Sequence, residues 1–119
     1  MKLCWCTIHV DDMAAAKAFY GDFLGLKEVN AFSPQEGTSI VFYSDENGVQ
    51  VELIHNGTAP AEKSAANVSL GMRTACFDTL LQKANDRGLT VSGPMVLGKD
   101  MECFFVNDPN GVGIQVIRG

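Results

Sequence analysis

The sequence has little positive charge and no long apolar run, and both absences narrow the classes of protein it can encode. Nine Lys and Arg residues are outnumbered by 14 Asp and Glu residues among 119, which gives a net charge of −5. Nucleic-acid binding needs a clustered positive surface, and here the basic residues are scattered singly. No stretch approaches the roughly 20 apolar residues that span a bilayer. We therefore expect neither a nucleic-acid partner nor a membrane partner.

Cysteine is sparse and shows no metal or redox spacing. The chain has four cysteines: Cys4, Cys6, Cys76 and Cys103. None forms the Cys-x-x-Cys pattern of zinc and redox sites. The apolar stretch after Met1 is broken by Asp11 and Asp12 before it is long enough for a secretory signal. We therefore expect a cytoplasmic protein with reduced, buried thiols.

The most informative feature of the chain is an internal repeat. Residues 42–54 and 105–117 share Phe, Asp, Asn, Gly and Val at a constant offset of 63 (from 42 to 105 and from 48 to 111). Each segment predicts a strand, an Asp-x-Asn-Gly turn and a second strand, with Asn-Gly supplying the positive φ of a tight turn. The same offset relates Gly25 to Gly88, each placed to end a helix in a left-handed cap.

A helix precedes each of these two glycines. Asp11 and Asp12 can cap a helix that starts at about Met13 and carries Phe19 and Phe23 on one stripe. The second helix begins near Asp78 and carries three apolar side chains, Leu80, Leu81 and Ala84. Alternating strands are predicted before the helices, at residues 3–10 and 67–74.

Each half of the chain therefore reads β-α-β-β-β. The predicted halves are 1–57 and 67–119, joined by a linker at 58–66, and together they form a single domain, 1–119. The fold class is α+β, with helices packed on one face of curved sheets. The alternative is an unrelated α+β protein with two similar hairpins. The strand residues, the turn and the helix-ending glycine all share the offset of 63, which favours a duplication.

The βαβββ duplication, the helix end Phe19-Tyr20-x-x-x-Leu24-Gly25-Leu26 and the turn Asp108-Pro109-Asn110-Gly111 resemble the vicinal oxygen chelate superfamily. This superfamily includes glyoxalase I, extradiol dioxygenases, fosfomycin-resistance enzymes and bleomycin-binding proteins. The resemblance covers essentially the whole chain and implies a cavity enclosed by curved sheets, usually in a homodimer. It is a poor guide to reaction, because one fold hosts many chemistries.

In the enzymes of this superfamily, four cavity-facing residues hold a divalent metal, commonly His, Glu, His and Glu. Matching the motif spacing places these positions at Trp5, Glu52, Ser69 and Gln115. Of these only Glu52 is a strong ligand, because an indole has no accessible lone pair and a neutral hydroxyl or amide is weak. We therefore predict no cofactor. A divalent metal held by Glu52 and His9 stays an alternative, although four residues along a strand separate His9 from Trp5 by roughly 13 Å.

The resemblance and the strand alternation together predict a ligand site. The expected ligand-binding residues are Trp5, His9, Glu52, Ser69, Arg73 and Gln115. Trp5 could stack on a flat or cationic ligand, or fill the volume that a metal occupies in relatives. His9 could contact a substrate anion or bond a neighbouring strand, and His55 is expected to be a solvated turn residue.

Three functions stay open at this point. The first is a metal-free protein that binds a small organic molecule, as in the bleomycin-resistance branch. The second is a glyoxalase-like lyase or isomerase with Glu52 as its catalytic residue, with or without a divalent metal. The third is a domain whose cavity is closed by its own side chains.

Overall fold

The computed structural model describes residues 1–57 and 67–119, and the predicted linker 58–66 lies outside the described residues. The chain divides into two compact units, Met1–Glu62 and Lys63–Gly119. Among the described residues, no helix combines the length and the apolar character needed to cross a membrane.

The first unit is a four-stranded mixed sheet with one short helical region. Its elements in chain order are β1 (Trp5–His9), α1 (Met13–Lys17), a π-helical segment (Ala18–Phe23), β2 (Lys27–Gln35), β3 (Thr38–Ser44) and β4 (Gln50–Asn56). The strand order is β1-β4-β3-β2. Strand β1 runs parallel to β4, whereas the other neighbouring strands are antiparallel.

The second unit repeats this arrangement. Its elements are β5 (Ser69–Thr74), α2 (Phe77–Asp86), β6 (Ser92–Leu97), β7 (Met101–Asn107) and β8 (Gly113–Arg118), in the strand order β5-β8-β7-β6. Strand β5 is parallel to β8, as β1 is to β4. The predicted α+β class and the β-α-β-β-β order of each half are confirmed.

The strand register shows which residues of the two units are equivalent. Trp5 lies opposite Gln50, and Ser69 lies opposite Gly113. Since residues 50 and 113 are related by the repeat offset, Trp5 and Ser69 occupy the same place in their sheets. By the same pairing, Arg73 is the counterpart of His9.

The two repeated turns share one hydrogen-bond pattern organised by aspartate. Asp45 Oδ1 accepts from the backbone N–H groups of residues 47 and 49 at 2.9 and 2.8 Å. Asp108 Oδ1 accepts from the N–H groups of residues 110 and 112, both at 2.8 Å. Positive φ is confined to the glycines, at 85° for both Gly48 and Gly111. The positive φ expected of each Asn-Gly pair is thus provided by its glycine, and the aspartate holds the turn.

The helix ends follow the sequence signals. Asp12 caps α1 by accepting a hydrogen bond from the N–H of Ala15 at 3.0 Å. Gly25 and Gly88 have φ of 75° and 70°, which is the left-handed conformation expected after a helix. The core of the first unit lies between the helical region and one sheet face, where Phe19, Phe23 and other apolar residues are buried.

Two predictions about single residues are wrong. Only Cys103 is buried, whereas Cys4 and Cys76 are exposed and Cys6 is half-buried, although all four are free thiols. His55 is not a solvated turn residue, because it lies in β4 and its Nδ1 is 3.0 Å from the carbonyl oxygen of Val10. That contact joins the end of β4 to the residue that follows β1.

Candidate functional site

The first sheet has one buried face and one open face. Ile8, Val51 and Leu53 lie on the buried side. Because residues paired across neighbouring strands point to the same face, the register places on the other side Trp5, Thr7, His9, Gln50, Glu52, Ile54, Ile40, Phe42 and Phe32. We call this side the open face of the first sheet, because three of its β1 side chains are exposed.

Three aromatic rings lie together on this open face. The rings of Trp5 and Phe42 meet at 87° with centroids 5.4 Å apart. The ring of Phe32 is nearly parallel to that of Phe42, with 6.5 Å between centroids. Trp5 is 48% exposed and Phe32 is 46% exposed. Large aromatic side chains left this open to solvent on a sheet face are typical of a surface that receives a ligand or a partner.

Glu52 is the charged residue at the centre of this face, and it is only 9% exposed. It lies opposite Thr7 on β1 and opposite Phe42 on β3. Its Oε1 accepts a hydrogen bond from the Thr7 hydroxyl at 2.6 Å. A short hydrogen bond of this kind to a carboxylate holds the side chain in one orientation.

The aromatic contact explains why a residue on an open face is nearly buried. Strands β1 and β3 both flank β4, so they lie about 9–10 Å apart. Since the Trp5 and Phe42 centroids are only 5.4 Å apart, the two rings lean toward each other above β4. Glu52 projects from the same face of β4, opposite Phe42 and two residues from the Trp5–Gln50 pair, so the rings limit the access of water to it.

His9 lies on the same face but does not bond Glu52. It pairs with Ile54, two residues along β4 from Glu52, and it is exposed. Within 1–57 and 67–119, Glu52 has no hydrogen bond or ion pair other than the one from Thr7. Of the expected site residues, the first sheet therefore brings together Trp5, His9 and Glu52, with Thr7 as the bonding partner of the carboxylate.

The equivalent face of the second sheet has a different chemistry. Gln115 Nε2 lies 3.5 Å from both Met101 Sδ and Cys103 Sγ, and it donates to these sulfur atoms. Gly71 on β5 and Phe105 on β7 flank Gln115. The amide is therefore held against weak sulfur acceptors, where the first unit has a carboxylate bonded to a hydroxyl.

Ser69 and Arg73 both lie on β5, on the Gln115 side of the second sheet. Ser69 is exposed. Arg73 is exposed as well, but its Nη1 donates to the carbonyl oxygen of Arg118 at 3.1 Å. The guanidinium of Arg73 is thus directed toward the end of β8. The three expected residues of the second unit share a face, without a direct hydrogen bond among them in the part of the chain that the structure describes.

The four positions at which relatives hold a metal do not fit a metal here. Trp5 and Ser69 are equivalent by register, as are Glu52 and Gln115, so the inspected positions correspond to one another. Their donor set is one carboxylate, already bonded to Thr7, one amide, one hydroxyl and an indole without a lone pair. Across 1–57 and 67–119, no group of three or more His, Cys, Asp or Glu side chains is placed to hold a metal ion.

Two functional candidates are not among the expected ligand-binding residues: Thr7 and Phe42. Phe42 and Phe105 recur at the repeat offset, and each lies opposite an inspected position, Glu52 or Gln115. The repeat could therefore have identified Phe42 as a residue of the open face. The Thr7 hydrogen bond has no such signal, because it depends on the register between strands far apart in sequence.

The fold belongs to a known class. The family model of the Glyoxalase/Bleomycin resistance protein/Dioxygenase superfamily matches residues 2–116, so the chain belongs to this superfamily. The resemblance inferred from the repeat is thereby confirmed. A search of curated protein sequences gave no match.

Solved structures with this fold include binding proteins and enzymes. TnmS3, an antibiotic binding protein from Streptomyces sp. CB03234, is similar with a TM-score of 0.77 and 20% identity, over 99% of this chain and 95% of its own. A glyoxalase I variant from Zea mays has a TM-score of 0.82 and 18% identity, over 98% of this chain and 44% of its own. The glyoxalase I of Leishmania major has a TM-score of 0.76 and 18% identity, over 99% and 86% of the two chains. At these identities the likeness concerns the fold.

Proposed function

We propose that the protein binds a small organic molecule on the open face of the first sheet, without a metal. The observation that carries this proposal is a nearly buried carboxylate, Glu52, on the same sheet face as the half-exposed aromatic ring of Trp5. Ligand sites combine apolar and aromatic walls with a few placed polar groups, and this face has both. The similarity to an antibiotic binding protein supports a binding role.

The proposal extends to the second unit and to the assembly. Ser69, Arg73 and Gln115 are the expected contributions of the second sheet to ligand binding, and His9 contributes from the first. We further propose that both halves act as one domain, that the protein works as a homodimer, as is usual in this superfamily, and that it is cytoplasmic.

The binding proposal can be tested with the single tryptophan of the chain. Purified protein, analysed for metal content, is titrated with a chemically varied set of flat aromatic compounds, with and without a chelator. We expect a saturable change in Trp5 emission for at least one compound class, and the same dissociation constant in both conditions. Calorimetry on Trp5→Phe is the control, since this variant loses the optical signal but keeps a ring at the site.

Two results would contradict the proposal. One is a stoichiometric transition metal in the purified protein, with binding that disappears when the metal is chelated. The other is the absence of saturable binding across the whole set of compounds, which would favour a face closed by its own side chains.

A second function, a lyase or isomerase reaction, is favoured by one feature of Glu52. Its second carboxylate oxygen has no protein partner among the described residues. Among the described residues, every fully buried side-chain oxygen has a hydrogen-bond partner. Since this oxygen of Glu52 has none, it is not fully buried and reaches solvent. A positioned carboxylate can act as a general base. If the protein is an enzyme, Glu52→Gln will abolish turnover in a glyoxalase I assay while the thermal unfolding midpoint is unchanged or raised. Turnover that survives this substitution would remove Glu52 from catalysis.

A further inference from the structure

We infer that the ligand of the first sheet is a flat organic cation, whose ring lies against Trp5 and whose positive group lies at Glu52. This inference rests on the proposed binding function and names the chemical class of the ligand. It is carried by the charge balance of the open face and by the geometry of the aromatic rings.

The charge balance begins with Glu52. A carboxylate shielded from water is costly unless a counter-charge or several hydrogen bonds compensate it. Glu52 is 9% exposed and has one hydrogen bond, from the neutral hydroxyl of Thr7, and no ion pair within the described chain. Its other oxygen reaches solvent, so a cation arriving from the open face can contact it directly.

Among the residues that the structure describes, no basic side chain forms an ion pair with Glu52. His9 lies opposite Ile54, which is two residues along β4 from Glu52. Lys27 lies on the far strand β2, opposite Ser44 of β3. Lys27 is separated from Glu52 by two strand spacings and one residue pair, which is more than about 10 Å. Lys17 pairs with Glu28 at 3.2 Å. Within the described chain Glu52 therefore has no ion-pair partner, and an incoming cation would provide one.

The ring geometry favours a flat ligand that carries this charge. Because the Trp5 and Phe42 rings are perpendicular, the edge of one ring meets the face of the other. Their contact therefore covers no more than one of the ring faces. Trp5 remains 48% exposed, so an indole surface is open on the same face as Glu52, two residues along the sheet from it. Indole faces attract cations through their quadrupole and stack on flat rings. An anionic ligand would instead meet the uncompensated carboxylate, in a protein of net charge −5.

Three probes of matched shape separate charge from shape. They are the cation 1-methylquinolinium, its neutral isostere 1-methylnaphthalene and the anion 1-naphthoate, measured by equilibrium dialysis against the full chain. We expect the cation to bind at least about tenfold more tightly than the neutral probe, which is the ratio given by about 1.4 kcal/mol. The anion should bind more weakly than the neutral probe. The affinity for the cation alone should fall as salt is added.

The matched variants are Glu52→Gln and Glu36→Gln. Both remove one negative charge, but Glu36 is an exposed residue between β2 and β3, away from the aromatic rings. We expect Glu52→Gln to lower the affinity for the cation about tenfold, to that of the neutral probe, and to leave the affinity for the neutral probe unchanged. Glu36→Gln should bind all three probes as the wild type does. Near-ultraviolet circular dichroism confirms that each variant keeps its tertiary packing.

The outcomes distinguish this inference from the proposed function. If the neutral probe binds as tightly as the cation, or if Glu52→Gln keeps the wild-type preference, the cation inference is wrong, while chelator-insensitive binding of aromatic compounds still stands. If the cation does not bind at all, the inference is likewise wrong. The proposed function then fails only if the wider set of aromatic compounds also gives no saturable change in Trp5 emission. A salt dependence of the cation affinity in the wild type tests the inference independently of any variant.

Discussion

Two charged residues of this protein, Glu52 and Arg118, differ in their burial and in the partners that compensate their charge. Glu52 is nearly buried and has one neutral hydrogen-bond donor, Thr7. Arg118 is exposed, and its guanidinium is fully engaged. Nε donates to Glu102 at 2.7 Å, while Nη1 and Nη2 each donate to Asp78 at 2.9 Å. A charge matched in this way has a structural role, whereas an unmatched carboxylate on an open face is a candidate for ligand recognition.

The Arg118 pairs predict an acid-sensitive contribution to stability. Hydrogen bonds from Arg118 hold the pKa values of Asp78 and Glu102 below their usual range. A carboxyl group whose folded pKa is lowered stabilises the fold above its unfolded pKa, and this contribution is lost as pH falls through the folded pKa. We expect Arg118→Lys to lower the unfolding temperature at neutral pH, because an ammonium cannot reproduce the bidentate pair. The difference from wild type should shrink below about pH 4, as measured by thermal unfolding across this range.

One result for Arg118→Lys would contradict this prediction. A difference in unfolding temperature that stays constant from neutral to acidic pH would show that Arg118 acts through packing, since its guanidinium also lies 4.3 Å from the ring centre of Phe77.

The hairpin turns show how the repeat controls structure at the level of the element. The turn between β3 and β4 and the turn between β7 and β8 have the same aspartate and glycine geometry. Their surroundings differ, because Asp108 is 5% exposed, whereas Asp45 is exposed. We therefore expect the same local sequence to contribute differently to the free energy of unfolding in the two units.

This difference predicts unequal costs for equivalent substitutions. Asp108→Ala leaves two buried N–H groups without an acceptor, which should cost about 1–3 kcal/mol in the free energy of unfolding. In Asp45→Ala water can replace the lost bonds, so the cost should be about 0.5–1 kcal/mol. Urea unfolding of the two variants measures both values. Equal losses would mean that burial of the second turn contributes nothing.

The helical element of the first unit departs from its prediction. The spacing of Phe19 and Phe23 indicates a regular helix, but only Met13–Lys17 is α-helical, and Ala18–Phe23 forms a π-helical segment. This segment buries Tyr20 next to Phe19. A Cβ at Gly21 would lie 3.1 Å from the ring of Tyr43, so the close approach of this segment to β3 depends on glycine. The widened turn arises from packing against the sheet, which local periodicity cannot report.

At the scale of the whole molecule, the superfamily relationship predicts self-association. We expect light scattering to give a mass near twice the chain mass of 12.8 kDa, at the protein concentration used for the binding titrations. The mass should not change when a chelator is added, because no metal is proposed at the site. A monomeric mass under conditions in which aromatic compounds bind saturably would show that one chain is enough to form the binding site.

The sequence alone was enough to identify the fold and the positions worth inspecting. The 63-residue offset, the Asp-x-Asn-Gly turns and the helix-ending glycines are local signals, and local signals determine turns, caps and element order. The alternation of side chains along strands then placed Trp5, His9 and Glu52 on one face. The weak metal-ligand character of Trp5, Ser69 and Gln115 was likewise readable from residue type.

Only the tertiary structure decided how those residues act on one another. The Thr7–Glu52 hydrogen bond and the Trp5–Phe42 contact join residues 45 and 37 positions apart, through the register of β1, β4 and β3. The burial of Glu52 and the exposure of Trp5 depend on this register, and no local sequence pattern predicts them. Strand pairing is a long-range choice, made by the packing of the whole sheet. Fold and position were therefore determined by the sequence pattern, while the shielded carboxylate beside an open indole was determined by the sheet.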